Sequence, residues 1–369
     1  MSSKGAASST AINMVAHLNA EMGVGEVARR LISLLSAAGI DLNLVPFEAS
    51  RARKEHKGLY KPGDFLAGHG TLSCVNADQL GALVAFFGIS ARTQTFHNGF
   101  WAWELEDFPD TFVPAAKLLD EIWTLSTFAQ ESIQKAVSTK VRTVKVPVPI
   151  PNTKTKLNRK DLGIPGKTFL VTSSFDFNSD IDRKNPAGSI GAFLKAFPMP
   201  SGSTLFLKSI NGDLHATRSK ELQELAQGRE DIVFFDGYLD AYQNKGLLEL
   251  SDIYLSLHRA EGYGLNLADA MARKTAVIAT DYSGNLDFMD EASGVLVPFE
   301  KVAVTNYAGV RVNSKWAEPD VELASRKLRE FFDKPQLVQE LAHKGFLKIK
   351  NENSLKVSVE NFQKEFMGE

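Results

Sequence analysis

Short runs of aliphatic and β-branched residues alternate along this chain with longer stretches in which apolar side chains return every three to four positions. The short runs suit strands covered on both faces and the longer stretches suit helices laid against a sheet, which is the pattern of α/β domains with parallel sheets. In the first half the pattern predicts strands at Ile12–Ala16, Asp41–Phe47, Leu72–Val75, Thr93–His97, Ile122–Leu125 and Val141–Val146. Helical periodicity is clearest over Gly25–Ala38 and Thr127–Val137. The second half repeats the rhythm, with strands predicted near Phe169–Ser173, Thr204–Lys208, Ile232–Phe235, Ile253–Leu257, Ala276–Ala279 and Gly294–Val297. From Asp320 to Phe366 the period is helical again, broken near Asp333–Pro335 and Asn351–Asn353.

Two doubly wound lobes follow from this, and the length of 369 residues agrees, since single cores stop growing beyond ~250 to 300 residues. Between the halves lie Pro147, Pro149 and Pro151, whose missing backbone donors favour an extended linker, followed by the polar run Asn152–Lys160. The expected organisation is a disordered small and polar start at 1–10, a first domain at 11–150, a second at 151–345 and a closing helix at 346–369. Composition narrows function more than fold. With Lys+Arg 42, Asp+Glu 44 and a net charge of −2, no global positive field exists to hold nucleic acid, and none is expected as a partner. The single Cys74 excludes an internal disulfide and a Cys-rich zinc site, which fits a reducing cytoplasm. The first ten residues hold no apolar signal core and no run of 18 apolar residues occurs, so a soluble, cytoplasmic chain is expected.

The segment Ser256–Met271 leaves a predicted buried strand and enters a helix. Gly262 and Gly264 let backbone approach a ligand, and the free amides around Tyr263 and Leu265 at the helix start suit a diphosphate. Glu261 on the loop and Asp269 inside the helix can bracket one ligand, or be a solvated acid and an ordinary first-turn acid. The turn Ser283-Gly284-Asn285 follows the next strand, where open α/β sheets place ligands, though alone it reads as a plain loop.

These residues, Glu261-Gly-Tyr-Gly-Leu with Asp269-Ala-Met, Thr275–Thr280 and Ser283–Asn285, resemble the donor-site signature of retaining GT-B glycosyltransferases of family four, the glycosyl transferases group 1. The family has Glu, seven residues, then Glu; this chain has Asp269 at the second place, one methylene shorter. The resemblance spans most of the second lobe and implies two facing Rossmann-like domains with a cleft between them. The first would be the acceptor side, the second the nucleotide-sugar donor side, with the closing helix packing back toward the first. It implies transfer of a hexose-type sugar, of mannose, glucose or rhamnose class, from a GDP- or UDP-sugar with retention and without a metal or other cofactor. Phe175–Pro186 is similar to the family's phosphate-binding region, with Lys184 the best match to its Lys and Arg183 or Lys208 in place of its unmatched Arg. A solvated basic pair is the plainer alternative. Phe234–Asp240 looks like the segment beside the base, which puts Tyr238 against a base face or at the sheet edge.

Gly23-Val-Gly25-Glu-Val-Ala28, with Glu48 twenty residues on, nearly forms a dinucleotide fingerprint, but six residues separate it from the strand. The resemblance implies instead that Gly23 and Gly25 approach the donor phosphates; a helix-start turn is the alternative. In the aromatic stretch Phe96–Leu105, His97 and Glu104 compete to touch the transferred sugar, or the cluster fills the core. Asp180-Ile-Asp182 has a metal-binding DxD form but precedes cations that already supply the charge, and Gly166–Thr168 is a turn rather than a phosphate loop. The wording of the second lobe and of Trp103-Glu104-Leu105 looks like bacterial enzymes of polysaccharide biosynthesis. A saccharide or lipid-linked acceptor follows, and a lipid-linked one would bring the chain to the inner membrane surface through Arg51, Arg53, Lys54 and Lys57, unless that cluster is only a solvated loop. A non-catalytic nucleotide-sugar binding protein, a phosphorylase or epimerase, or an NAD-dependent oxidoreductase using Gly23–Ala28 would share much of this pattern.

Overall fold

The aliphatic runs form two six-stranded sheets in a computed structural model that describes residues 11–47, 53, 62–89, 94–307 and 309–368. Contacts divide the chain into two units: 1–103, 108–147 and 355–369 in the first, 104–107 and 148–354 in the second.

In the first unit β1 (Ile12–Ala16), α1 (Gly23–Ala37), β2 (Leu42–Pro46), β3 (Thr71–Cys74), α2 (Ala77–Phe87), β4 (His97–Trp101), α3 (Val113–Ala116), β5 (Glu121–Thr124), α4 (Thr127–Ala136) and β6 (Lys140–Thr143) follow in order. Their strands are all parallel, in the order β2-β1-β3-β4-β5-β6. One strand lies later than its alternating pattern predicts. Polar–apolar alternation favours Thr93–His97, but β4 starts at His97, because Phe100 and Trp101 carry the surface a strand covered on both faces must bury. Gly99 serves the same packing, since a Cβ there would stand 2.5 Å from Leu119 Cδ1.

In the second unit come β7 (Phe169–Asp176), α5 (Ile181–Lys184), α6 (Pro186–Ala196), β8 (Ser203–Ile210), α7 (Ala216–Leu225), β9 (Ile232–Asp236), α8 (Ala241–Leu250), β10 (Ile253–Ser256), α9 (Leu265–Ala272), β11 (Ala276–Thr280) and β12 (Val295–Val297). Their order is β12-β11-β10-β7-β8-β9, again parallel, so the winding reverses between β10 and β7. A doubly wound sheet opens a ligand crevice at the carboxyl ends of the strands flanking such a reversal. The core beneath is built from Val171, Leu205, Ile253, Leu255 and Ile278, with Phe193 of α6 and Phe197 just past its end in the same cluster.

Between β12 and the closing helices α10 (Val321–Asp333) and α11 (Pro335–Glu352) stands an antiparallel ribbon, β13 (Phe299–Tyr307) and β14 (Val310–Pro319). The sequence pattern carries part of its signal: Val304, Val312 and Ser314 are buried between exposed neighbours, Tyr307 and Ala317 are also buried, and Gly309 takes a left-handed φ of 78° at the turn. The helical breaks predicted near 333–335 and 351–353 separate α10, α11 and α12 (Leu355–Phe362).

Helix α12 belongs to the first unit, where Phe362 and Phe366 stack on each other at 4.7 Å and meet Trp123 of β5 edge-on at 6.0 and 5.2 Å. Arg142 lies over the Phe366 ring at 3.5 Å and donates to the Glu365 carbonyl at 2.6 Å. Among the described residues no helix is long and apolar enough to cross a membrane. Met1–Thr10, Glu48, Arg51, Lys54 and Lys57 lie outside the described residues, while Arg53 is exposed and 3.6 Å from Glu21. Because Phe362 is buried against two aromatic partners, Phe362→Ala is expected to cost about 3 kcal/mol, read as a lower urea midpoint with an unchanged slope.

Candidate functional site

The loop that leaves β10 is held from two sides. His258 is fully buried, and its Nε2 faces the Tyr282 carbonyl at 3.1 Å and Asn285 Oδ1 at 3.2 Å while Ser256 Oγ lies 3.1 Å from Nδ1. Burial lowers its pKa, and two acceptors at Nε2 place the proton of the neutral ring there. Thr280 donates to the His258 carbonyl at 2.6 Å and Asn285 Nδ2 to the Thr280 carbonyl at 3.0 Å. One step further, the Glu261 amide donates to Ser283 Oγ at 2.8 Å and the Gly284 amide to the Glu261 carbonyl at 2.9 Å. Ser283, Gly284 and Asn285 thus brace the backbone of Glu261.

Two glycines make this approach feasible. A Cβ on Gly284 would stand 2.3 Å from the Gly262 oxygen, and Gly264 holds φ 92° at the start of α9 with Leu267 Cδ1 only 2.7 Å from where its Cβ would be. Ser283 pays for its place with φ 77° and ψ −146°, a conformation non-glycine residues rarely hold and one that concentrates at functional sites.

Facing the Glu261 carboxylate are two cations from α5. Asp180 caps that helix by accepting from the Arg183 amide at 3.0 Å, and Asn185, at φ 51°, ends it and caps α6 through Gly188 at 3.0 Å. Asn185 also donates to the Leu257 carbonyl at 2.8 Å, which fixes α5 against the Glu261 loop. Arg183 donates to the Ala260 carbonyl at 2.9 Å and lies 3.3 Å from Glu261 Oε2, while Lys184 bonds Glu261 Oε1. Burial alone would raise the Glu261 pKa, but Lys184 first and Arg183 second hold it down at about 2. Burial lowers the Lys184 pKa against the pull of Glu261, and Arg183 stays charged. Arg183 Nε is buried without a hydrogen-bond partner among the described residues, so this pair retains donor capacity that Glu261 does not use.

The remaining candidates spread along the same sheet edge. Asn266, in the first turn of α9, donates to Ser174 Oγ at 3.0 Å, and Ser174 shares a 2.8 Å bond with Tyr254, so β7, β10 and α9 are tied together at the winding reversal. Asp269 is the fifth residue of α9, 3.9 Å from Arg273. Lys208 is buried near the end of β8, in register with Ser174 and Phe235, and Tyr238 donates to Asn211 Oδ1 at 3.1 Å. Glu104 belongs to the second unit, where Tyr307 of the ribbon donates to its Oε2 at 2.9 Å and its charge acts on Arg183 and Lys184. The DxD form is occupied otherwise, Asp180 as a cap and Asp182 in an ion pair with Arg218.

The structure thus groups Glu261, Arg183 and Lys184 with Gly262, Tyr263, Gly264, Leu265 and Ser283–Asn285, and adds Glu104 through Tyr307. His97 belongs to the other unit. It starts β4 in the first unit, buried, with Nε2 3.0 Å from Ser73 Oγ and its amide donating to Asp120 at 2.7 Å. Gly23 opens α1 with clear space around it, whereas Gly25 is closed in, since a Cβ would meet the Ala20 oxygen at 2.6 Å and the His17 oxygen at 2.8 Å. His258, Asn185 and Tyr307 were not singled out by motif; an Asn just before Pro186 is a legible cap signal, while the other two depend on tertiary contacts.

Residues 193–307 match the family described as glycosyl transferases group 1. Among solved structures, Anabaena HepE in complex with UDP and glucose aligns with a TM-score of 0.69 at 15% identity, covering 97% of this chain and 99% of that one. Sucrose-phosphate synthase from Thermosynechococcus elongatus aligns at 0.64 and 15% identity over 97% and 98%. A mutant of S. aureus TarM, in complex with Fondaparinux, alpha-GlcNAc-glycerol and UDP, aligns at 0.58 and 14% identity over 80% of this chain; the chain spans about half of TarM, 54%. Curated protein sequences gave no match. The fold is therefore that of GT-B glycosyltransferases, and the match to glycosyl transferases group 1 falls within the second unit.

Two predictions follow from the geometry. Glu261→Gln leaves two cations without their counter-charge and is expected to cost about 3 to 5 kcal/mol in urea unfolding, while Glu261→Gln with Lys184→Met loses less than the two single changes added together. Burial lowers the His97 pKa to about 4, so as pH falls the unfolded chain takes up this proton first. Its neutral burial favours folding fully above about pH 6.5, and this is lost as pH falls toward 4; His97→Gln should flatten Tm against pH across that window.

Proposed function

We propose that this glycosyltransferase moves a hexose-type sugar from a nucleoside diphosphate to a hydroxyl of a saccharide or lipid-linked saccharide, with retention at the anomeric carbon and without a metal. The observation that carries the reading is the Glu261 carboxylate held ionised by Lys184 and Arg183 beside the start of α9, at the carboxyl edge of a parallel sheet. A diphosphate arriving there competes with Glu261 for both cations, and charge-assisted bonds to phosphate favour the exchange. Glu261, released from Lys184, then faces the sugar with a full negative charge, which stabilises the oxocarbenium character of the transition state. Lys184, Arg183 and the first amides of α9 neutralise the departing diphosphate, the task a divalent cation performs in metal-dependent transferases.

Asp269, one turn inside α9, is the candidate for the ribose hydroxyls, Tyr238 for the base face, and Lys208 for further charge at the donor phosphates. UDP accompanies both Anabaena HepE and the TarM mutant, which supports a uridine donor here ahead of a guanosine one. A polysaccharide-building role in a bacterial cytoplasm, with peripheral contact to the inner membrane when the acceptor is lipid-linked, completes the reading.

Calorimetric titration with UDP, GDP and ADP in the presence of EDTA tests it. One nucleoside diphosphate should bind, and Lys184→Met should weaken that binding by about tenfold or more. Binding that requires an added divalent cation, or no binding of any of the three, would overturn the proposal.

A further inference from the structure

The ribbon of β13 and β14 is fixed at its base to the helix that bears the cation pair. Arg259 donates to both oxygens of Glu318, from Nε at 2.7 Å and Nη2 at 3.1 Å, and its carbonyl accepts from the Ala317 amide at 2.9 Å. The same arginine donates to the Asp182 carbonyl at 2.6 Å, and its amide to the Arg183 carbonyl at 2.7 Å. Further along, the ribbon grips the short segment 104–107 at three places: Tyr307 on Glu104, Lys301 on Glu106, and Ser314 Oγ accepting from the Asp107 amide at 3.2 Å. One element, bonded through Arg259 to α5 at its base and to 104–107 further along, therefore sets Glu104 relative to Arg183 and Lys184.

The bond from Tyr307 uses one carboxylate oxygen of Glu104 and leaves the other, Oε1, without a hydrogen bond among the described residues. Tyr307 is buried, and its pKa is raised well above the ordinary value by that burial first, so the hydroxyl remains a donor at any working pH. We infer that Tyr307 is a positioning residue: by holding Oε2 of Glu104 it presents Oε1 to a hydroxyl of the bound saccharide, beside the cations that hold the diphosphate. Glu104 is then the group that touches sugar, and the ribbon is what makes its aim reproducible. The inference rests on the donor-site reading above.

Its test compares wild type, Tyr307→Phe, Glu104→Gln and the double variant in steady-state transfer from whichever of UDP-glucose and GDP-mannose is turned over, alongside UDP and GDP affinity by calorimetry. Each single change should lower kcat by about 10- to 100-fold, the loss expected when a reacting group is misplaced by an ångström. Donor KM and nucleoside diphosphate affinity should stay at wild-type values, and the double variant should be no slower than Glu104→Gln alone. Wild-type kcat in Tyr307→Phe, or losses that multiply in the double variant, would overturn the inference while leaving the donor site standing. Loss of nucleoside diphosphate affinity in Tyr307→Phe would likewise overturn it, assigning Tyr307 to the fold of the second unit. Absence of nucleoside diphosphate binding in the wild type would bring down the donor-site reading and this inference together.

Discussion

The second unit is organised around a buried carboxylate kept charged by two cations, one buried and one half-buried. Taking Glu261 out of water would by itself favour the neutral acid, and leaving Arg183 and Lys184 there without a partner would be costlier still. Each offsets the other only at close range, so the structure must hold a loop after β10 and a single helical turn after β7 within bonding distance. Asn185 does this from one side by bonding the Leu257 carbonyl, and Arg259 from the other by bonding the backbone of α5. Strand order provides the setting, since β7 and β10 are neighbours at the winding reversal and release both segments at the same edge.

That pairing also explains why the surrounding backbone is so constrained. The turn at Ser283–Asn285 has to meet the Glu261 loop amide to carbonyl, which requires Gly284 against Gly262 and a left-handed Ser283. Strain of this kind persists only where neighbouring bonds over-determine it, and here Ser283 Oγ accepts from Glu261 while donating to the Tyr282 carbonyl. Glu261 is paired with both cations, yet Arg183 Nε has no hydrogen-bond partner among the described residues, so the proposed exchange of partners with an anion needs no new cation.

Much of this was legible from side-chain pattern because parallel strands advertise themselves as compact apolar runs. Ile12–Ala16 is a strand at the predicted bounds, and the helical breaks at 333–335 and 351–353 stand where Pro335 and the Asn-rich stretch suggest. Glu261 and Lys184 were legible through the resemblance, since their neighbours Gly262, Gly264 and Pro186 constrain the backbone locally. What the pattern left open is tertiary in origin. His97 sits beside two tryptophans in sequence, but whether that stretch is loop or strand depends on which residues pair with Thr71 and Glu121, and a strand here puts the imidazole inside a sheet. The ribbon keeps period two only in part, because a bulge near Val304 and Asn306 interrupts it, and without the ribbon neither Tyr307 nor the anchoring of Glu104 can be anticipated.

The central claim is that a diphosphate takes Lys184 from Glu261. A crystal structure of the chain with a bound nucleoside diphosphate sugar tests it most directly. The account predicts Lys184 Nζ on a phosphate oxygen, Arg183 turned to the same group, and the Glu261 carboxylate bonded to the sugar. A complex in which the nucleotide is ordered elsewhere, with Lys184 still bonded to Glu261, would contradict it.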